Sequence, residues 1–136
     1  CTTAFASYPN FKFHLIDMQS EQYNHTGSLA RVPESVRFPG GPFDLVMASS
    51  IFTHIETLEM AEHYIEEVKR VLVSGGRFYS TWFRDPPHKE CSESRKTVFR
   101  EADIINLLQD FHLQETDHGF TNEFHDQWFI YATYKG

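Results

Sequence analysis

Residues 43–54, Phe43-Asp44-Leu45-Val46-Met47-Ala48-Ser49-Ser50-Ile51-Phe52-Thr53-His54, pass from an apolar run into a polar cluster. An amphipathic stretch follows, then Ser74-Gly75-Gly76 and a second apolar run from Arg77 to Phe83. This order predicts a buried strand, a crossover helix and a second buried strand running parallel to the first. Open parallel sheets bind ligands outside the carboxyl ends of their strands. The chain therefore carries half of a ligand crevice.

The helix is predicted from Thr57 to Leu72. Leu58, Ala61, Tyr64, Ile65, Val68, Val71 and Leu72 recur at spacings of three and four, and Glu59, Glu62, Glu66, Glu67, Lys69 and Arg70 fill the other side. Acidic residues at its start and Lys69 and Arg70 at its end match the macrodipole, and Gly75 or Gly76 is expected to stop it in a left-handed conformation. Ala4 to Tyr8 reads as the tail of a helix, with more chain expected upstream of Cys1. Phe11, Phe13 and Leu15 alternate along a predicted strand, Phe11 to Ile16, that Asp17 closes. Residues 18–42 have loop composition, with a short helical turn around Glu21 to Asn24. The segment Arg84 to Thr97, with Pro86-Pro87, reads as a loop and candidate lid. A second helix, Arg100 to Phe111, should place Ile104, Ile105, Leu108 and Phe111 on one face. Two antiparallel strands, His112 to Gly119 and Gln127 to Tyr134, should close the sheet, joined by Phe120 to Asp126. This is one α/β unit without repeat or linker.

At 136 residues, 40% of them hydrophobic, the chain is long enough to bury about two-thirds of its unfolded surface around one core. A net charge of −7 and no basic run longer than Lys69-Arg70 argue against nucleic acid or an anionic membrane as partner. No apolar run approaches the roughly 20 residues that span a bilayer, and the first residues lack a secretion-signal pattern. A soluble, cytoplasmic protein is therefore the expectation, and because Cys1 and Cys91 are far apart, their thiols are expected to be reduced.

Phe13-His14-Leu15-Ile16-Asp17-Met18 with Tyr23-Asn24, Phe43-Asp44-Leu45-Val46 through Phe52-Thr53-His54, Val68-Lys69-Arg70-Val71-Leu72 and Gly75-Gly76-Arg77 together resemble class I S-adenosylmethionine-dependent methyltransferases. The resemblance covers nearly the whole chain and implies a Rossmann-like sheet ordered 3-2-1-4-5-7-6, mostly parallel with an antiparallel last strand. This sequence looks like that fold from the third strand onward. It holds no G-x-G, so the family's glycine-rich loop and the acidic residue after the second strand are expected before Cys1, and the chain reads as a carboxy-terminal portion. An incomplete sheet exposes edges that seek partners, so the third strand is expected to pair elsewhere or the chain to associate into a homodimer.

The resemblance also implies site roles. Asp17 would accept from the exocyclic amine of adenine and Met18 would lie against the purine; a solvated turn carboxylate is the alternative for Asp17. Ser49 and Ser50 would meet the methionine part of the cofactor, or else cap the turn. Phe52 would wall the pocket near the sulfonium, where an aromatic face attracts a cation, or else join the core. His54 is the candidate general base, since imidazole titrates near neutrality; a structural hydrogen-bonding role is the alternative. Trp82 and Arg84, with Asp85 and His88, are candidate contacts to a small-molecule acceptor. His88 and Cys91 are spaced for a metal, but with His112, His118 and His125 they complete no four-ligand set, so none is assigned. The leading reading is methyl transfer from S-adenosylmethionine to a small molecule. A non-catalytic, methyltransferase-like binding or assembly module is the alternative, and a nicotinamide-dependent oxidoreductase is disfavoured by the absent glycine fingerprint.

Overall fold

The computed structural model describes residues 3–5, 7–19, 24–28, 36–84, 98–114, 118–121 and 126–136. The chain divides into two compact units, residues 1–39 and residues 40–136.

The second unit begins with strand β1, Phe43–Ala48, and helix α1, Leu58–Val71. β1 is not the buried strand that the apolar run predicts: it lies at the end of the sheet order beside β2, Phe43, Leu45 and Met47 are exposed, and Ala48 is its one buried residue. Thr57 caps α1 in an extended conformation, its side chain accepting the Met60 amide at 3.1 Å. This satisfies one of the amides that a helix start leaves orphaned. Met60, Ala61, Ile65, Val68 and Val71 are buried, whereas Leu58 in the first turn is 44% exposed. The buried stripe is thus shifted from the predicted one: it takes in Met60 and Glu67, leaves Leu58 out and keeps Tyr64 half-buried. Lys69 bridges Glu66 in the preceding turn at 2.6 Å and Asp110, beyond the second helix, at 2.7 Å.

The helix ends at once, because Leu72 turns extended and opens strand β2, Leu72–Arg84. Gly75 does adopt the left-handed conformation (φ 75°), but inside β2 rather than as the helix stop. The ladder shows why: Phe43 pairs with Leu72 and Leu45 with Arg77, so the residues between Leu72 and Arg77 bulge out of the parallel pairing. A bulge needs the φ that glycine adopts freely.

Helix α2, Glu101–Leu107, is shorter than the spacing predicts, because Leu108 leaves the helix and Phe111 starts β3, Phe111–Gln114. Ile104, Leu108 and Phe111 are buried, but Ile105 is 45% exposed and does not belong to the packed face. Strands β4, His118–Thr121, and β5, Asp126–Tyr134, complete the sheet. Its order is β1-β2-β5-β3, with β4 also beside β5. β1 and β2 are parallel; β5 is antiparallel to β2, β3 and β4. One reversed strand therefore lies among strands of common direction, and it is the last in the chain. This is the expected mostly parallel α/β sheet with an antiparallel last strand. On one face of β2, Phe78 and Trp82 are fully buried, with Phe78 against Phe111 and Trp82 edge-on to Phe99 at 5.5 Å.

The first unit corrects two expectations. Residues 4, 5 and 7 lie in turns closed by the Tyr8 amide on the Phe5 carbonyl at 2.9 Å, not in the tail of a helix. Phe11 to Ile16 forms no ladder, and Phe11, Phe13 and Leu15 are exposed, Leu15 to 87%. Alternation marks the faces of a strand but supplies no neighbour for its amides and carbonyls. The rings of Phe5, Tyr8, Phe11 and Phe13 instead pack on one another, with Phe5 and Phe11 stacked at 5.0 Å. The helical turn at Glu21 to Asn24, Tyr23, the lid segment with Asp85, Pro86-Pro87, His88 and Cys91, the loop residue His125, and Cys1 lie wholly or in part outside the described residues, as does the His118 side chain. No described helix is long and apolar enough to cross a membrane.

Because Ile65 is about 1% exposed and Ile105 is not packed, their truncations should separate. Ile65→Ala is expected to cost about 2–5 kcal/mol in urea unfolding and Ile105→Ala less than about 1 kcal/mol. Equal costs would contradict the assigned helix faces.

Candidate functional site

The parallel pairing of β1 and β2 places their carboxyl ends side by side, with Ala48 paired to Ser80. The chain leaves buried Ala48 through Ser49 and Ser50, both exposed. Ser50 has φ 56°, the left-handed region that costs a residue with a side chain about 1–2 kcal/mol. Two hydrogen bonds hold it there. Its amide donates to Thr81 Oγ1 at 2.6 Å, and its carbonyl accepts from Thr53 Oγ1 at 3.0 Å. Both threonines are buried, and at about 1 kcal/mol net each, the two bonds offset the strain. The His54 amide donates to the Ile51 carbonyl at 2.9 Å and closes the turn, leaving the His54 residue exposed at its end.

Phe52 points the other way. It is fully buried, stacked on Trp82 at 3.9 Å and 17°, and edge-on to Phe78 and Tyr64. Trp82 is fully buried as well, its indole N–H donating to Ser80 Oγ at 2.8 Å. Neither ring has an open face, so the sulfonium wall expected of Phe52 and the acceptor contact expected of Trp82 do not fit this geometry. Both rings are core. Arg84 does reach the carboxyl end of β2, where its guanidinium donates to Glu101 Oε2 at 2.9 Å and lies 5.2 Å from the centre of the Trp128 ring. The structure thus gathers Ser49, Ser50 and His54 on one turn and adds Thr81 and Thr53, which sequence reasoning missed. The available signal was two hydroxyl residues, Ser80-Thr81, inside an otherwise apolar strand.

Asp17 organises a separate loop in the first unit. Its Oδ1 accepts from Asn24 Nδ2 at 2.9 Å and its Oδ2 from the Ser28 amide at 3.0 Å, with the Ser28 hydroxyl as a further donor. Asn24 also donates to the Met18 carbonyl at 3.1 Å. Gly27 presses against the Met18-Gln19 peptide so closely that a Cβ would stand 2.4 Å from the Gln19 nitrogen. A carboxylate has about four acceptor positions, so three donors leave about one for an external partner. The donors, Asn24 first, hold the Asp17 carboxyl below its ordinary value.

A carboxyl depressed in the folded loop favours the closed loop above its ordinary value, and that contribution is lost as pH falls through the depressed one. The protection factor of the Ser28 amide, read by NMR hydrogen exchange, should therefore hold from pH 7 to about 4 and fall below it. Asp17→Asn should remove the pH dependence; a dependence that survives would assign it to another group.

The methyltransferase-domain family model matches residues 10–80, just over half of the chain. Solved structures share the fold. The magnesium protoporphyrin IX methyltransferase ChlM of Synechocystis PCC 6803, with bound S-adenosylmethionine, superposes with a TM-score of 0.54 at 19% identity over 71% of this chain and 41% of its own. The N-methyltransferase NodS of Bradyrhizobium japonicum WM9, in complex with S-adenosylhomocysteine, gives 0.58 at 16% identity over 73% of this chain and 50% of its own. TehB from Haemophilus influenzae gives 0.57 at 15% identity, over 71% of this chain and 37% of its own. The chain thus spans half or less of the length of these structures. With the family model matched across the first unit and the β1-α1-β2 core, the chain belongs to the class I S-adenosylmethionine-dependent methyltransferases.

Proposed function

We propose that this chain serves methyl transfer from S-adenosylmethionine to a small-molecule acceptor. The observation that carries the reading is the strand-exit turn, where Ser49, Ser50 and His54 stand exposed at the carboxyl end of a parallel pair while Phe52 anchors them from below. Sheets of this kind bind ligands at that end. The family match runs from residue 10 to residue 80, across the boundary of the two units, which supports reading both as parts of one domain.

The residues fit the cofactor in part. Asp17 keeps about one acceptor position, the number that an exocyclic amine of adenine needs, and Met18 beside it supplies an apolar surface for the purine. Ser49 and Ser50 offer hydroxyls to the methionine part. When bound, S-adenosylmethionine supplies an electrophilic methyl group. This chain's residues hold and orient the reactants, and His54 takes the proton from an acceptor whose nucleophile carries one. Arg84, at the exit of β2, is the acceptor-side residue, its guanidinium already fixed by Glu101. A cytoplasmic location accords with the two widely separated cysteines. The second reading, a family member without turnover, draws on the absence of any G-x-G from these 136 residues.

Calorimetric titration of the 136-residue chain with S-adenosylhomocysteine tests the cofactor role. Micromolar binding is expected, and no detectable binding would overturn it for this chain. With an acceptor in hand, His54→Asn should lower kcat by about 100-fold or more and leave S-adenosylhomocysteine affinity within about twofold. An unchanged kcat would remove His54 as the base.

A further inference from the structure

The turn after β1 is held from two directions of different kinds. Thr53 bonds the Ser50 carbonyl from within the turn, three residues away. Thr81 bonds the Ser50 amide from the neighbouring strand, 31 residues away in sequence, and is itself fully buried. The Thr53 bond travels with the turn wherever the turn goes. The Thr81 bond fixes the turn to the sheet.

We propose that Thr81 is a positioning residue for the cofactor-facing turn: its buried hydroxyl, by accepting the Ser50 amide, holds Ser49 and Ser50 in the conformation that meets the methionine part of S-adenosylmethionine. This role rests on the functional reading above. Ser50 is the one described non-glycine residue with a positive φ, and a left-handed serine persists only where its surroundings over-determine it. Without the acceptor at Thr81, the Ser50 amide lies beside a buried methyl group, and rotation toward negative φ releases the strain while exposing the amide to water. That rotation re-aims the Ser49-Ser50 peptide and both side chains. Phe52, locked on Trp82, stays in place, so the displacement falls on the exposed serines rather than on the core.

Threonine's bulk alone would serve packing between strands, and valine supplies the same bulk and the same preference for β structure. The two explanations therefore part at Thr81→Val, which keeps shape and loses the acceptor, and at Thr81→Ser, which keeps the acceptor and loses a methyl. Binding of S-adenosylhomocysteine is to be measured by calorimetry on the full chain and on both variants, with Ser50 amide exchange followed by NMR. Thr81→Val is expected to weaken binding about tenfold and to lower Ser50 protection by a similar factor, the effect of one lost hydrogen bond. Thr81→Ser is expected to remain within about threefold of the parent in both. Valine binding within about twofold of the parent would overturn the proposal, as would an unprotected Ser50 amide in the parent chain, which needs no variant to fold. A parent chain that binds no S-adenosylhomocysteine but protects Ser50 would sink the functional reading and, with it, the role assigned to Thr81. Protection with parent binding that valine leaves unchanged would sink the positioning role alone.

Discussion

Strand β2 is hydrogen-bonded along both edges, parallel to β1 and antiparallel to β5, and this double pairing decides where the other described elements of residues 40–136 can go. A parallel neighbour requires a crossover, which α1 supplies; an antiparallel neighbour reverses the chain and closes the sheet. Alternation along β2 then divides its side chains. Phe78, Ser80 and Trp82 take the face that holds Phe52 and Phe111, while Tyr79, Thr81 and Phe83 take the other, where Tyr79 lies 4.8 Å from Tyr131. One strand thus supplies the core with an aromatic anchor and the strand-exit turn with a hydrogen-bond acceptor, from adjacent residues.

The turn after β1 exploits that division. Phe52 inserts into the aromatic cluster and Ser50 reaches Thr81, so two residues of one short loop are tied to opposite faces of the same strand. A loop fastened at two such points cannot slide along β2 without breaking either the stack or the hydrogen bond. Ser50, at φ 56°, takes the left-handed conformation at the point where the chain meets both constraints. Backbone strain here follows from holding polar groups outward on a loop whose apolar residue is driven inward.

Sequence legibility tracked how local each determinant is. The strand at Phe43–Ala48, the helix start at Thr57 and the spacing of Ala61, Ile65 and Val68 depend on neighbours a few residues away and read directly from the pattern, whereas the burial expected of Phe43, Leu45 and Met47 depends on a covering layer and does not hold. The antiparallel closing pair reads from the two strand-like runs on either side of Phe120 to Asp126, and the family resemblance implies the same reversal. Phe11 to Ile16 shows the limit, because a strand needs a partner and alternation does not reveal whether one is present. Phe52 and Trp82 show another. Their positions along the chain are right for a crevice, but burial is decided by a stack between residues 30 apart, and no periodicity encodes it. The Ser50 to Thr81 bond was invisible for the same reason.

The two sets of candidate cofactor residues consequently differ in what their geometry depends on. The Asp17 loop is closed by Asn24, Gly27 and Ser28, all within a dozen residues, so among the described residues its acceptor group is arranged by local contacts. Ser49, Ser50 and His54 are arranged by the sheet, through Thr81 and Trp82. Changes in the packing of β2 against β5 reach the second set through the strand that holds it. In energetic terms the Asp17 acceptor costs the chain one short loop closure, whereas the Ser49-Ser50 turn draws its order from the cooperative stability of the whole sheet.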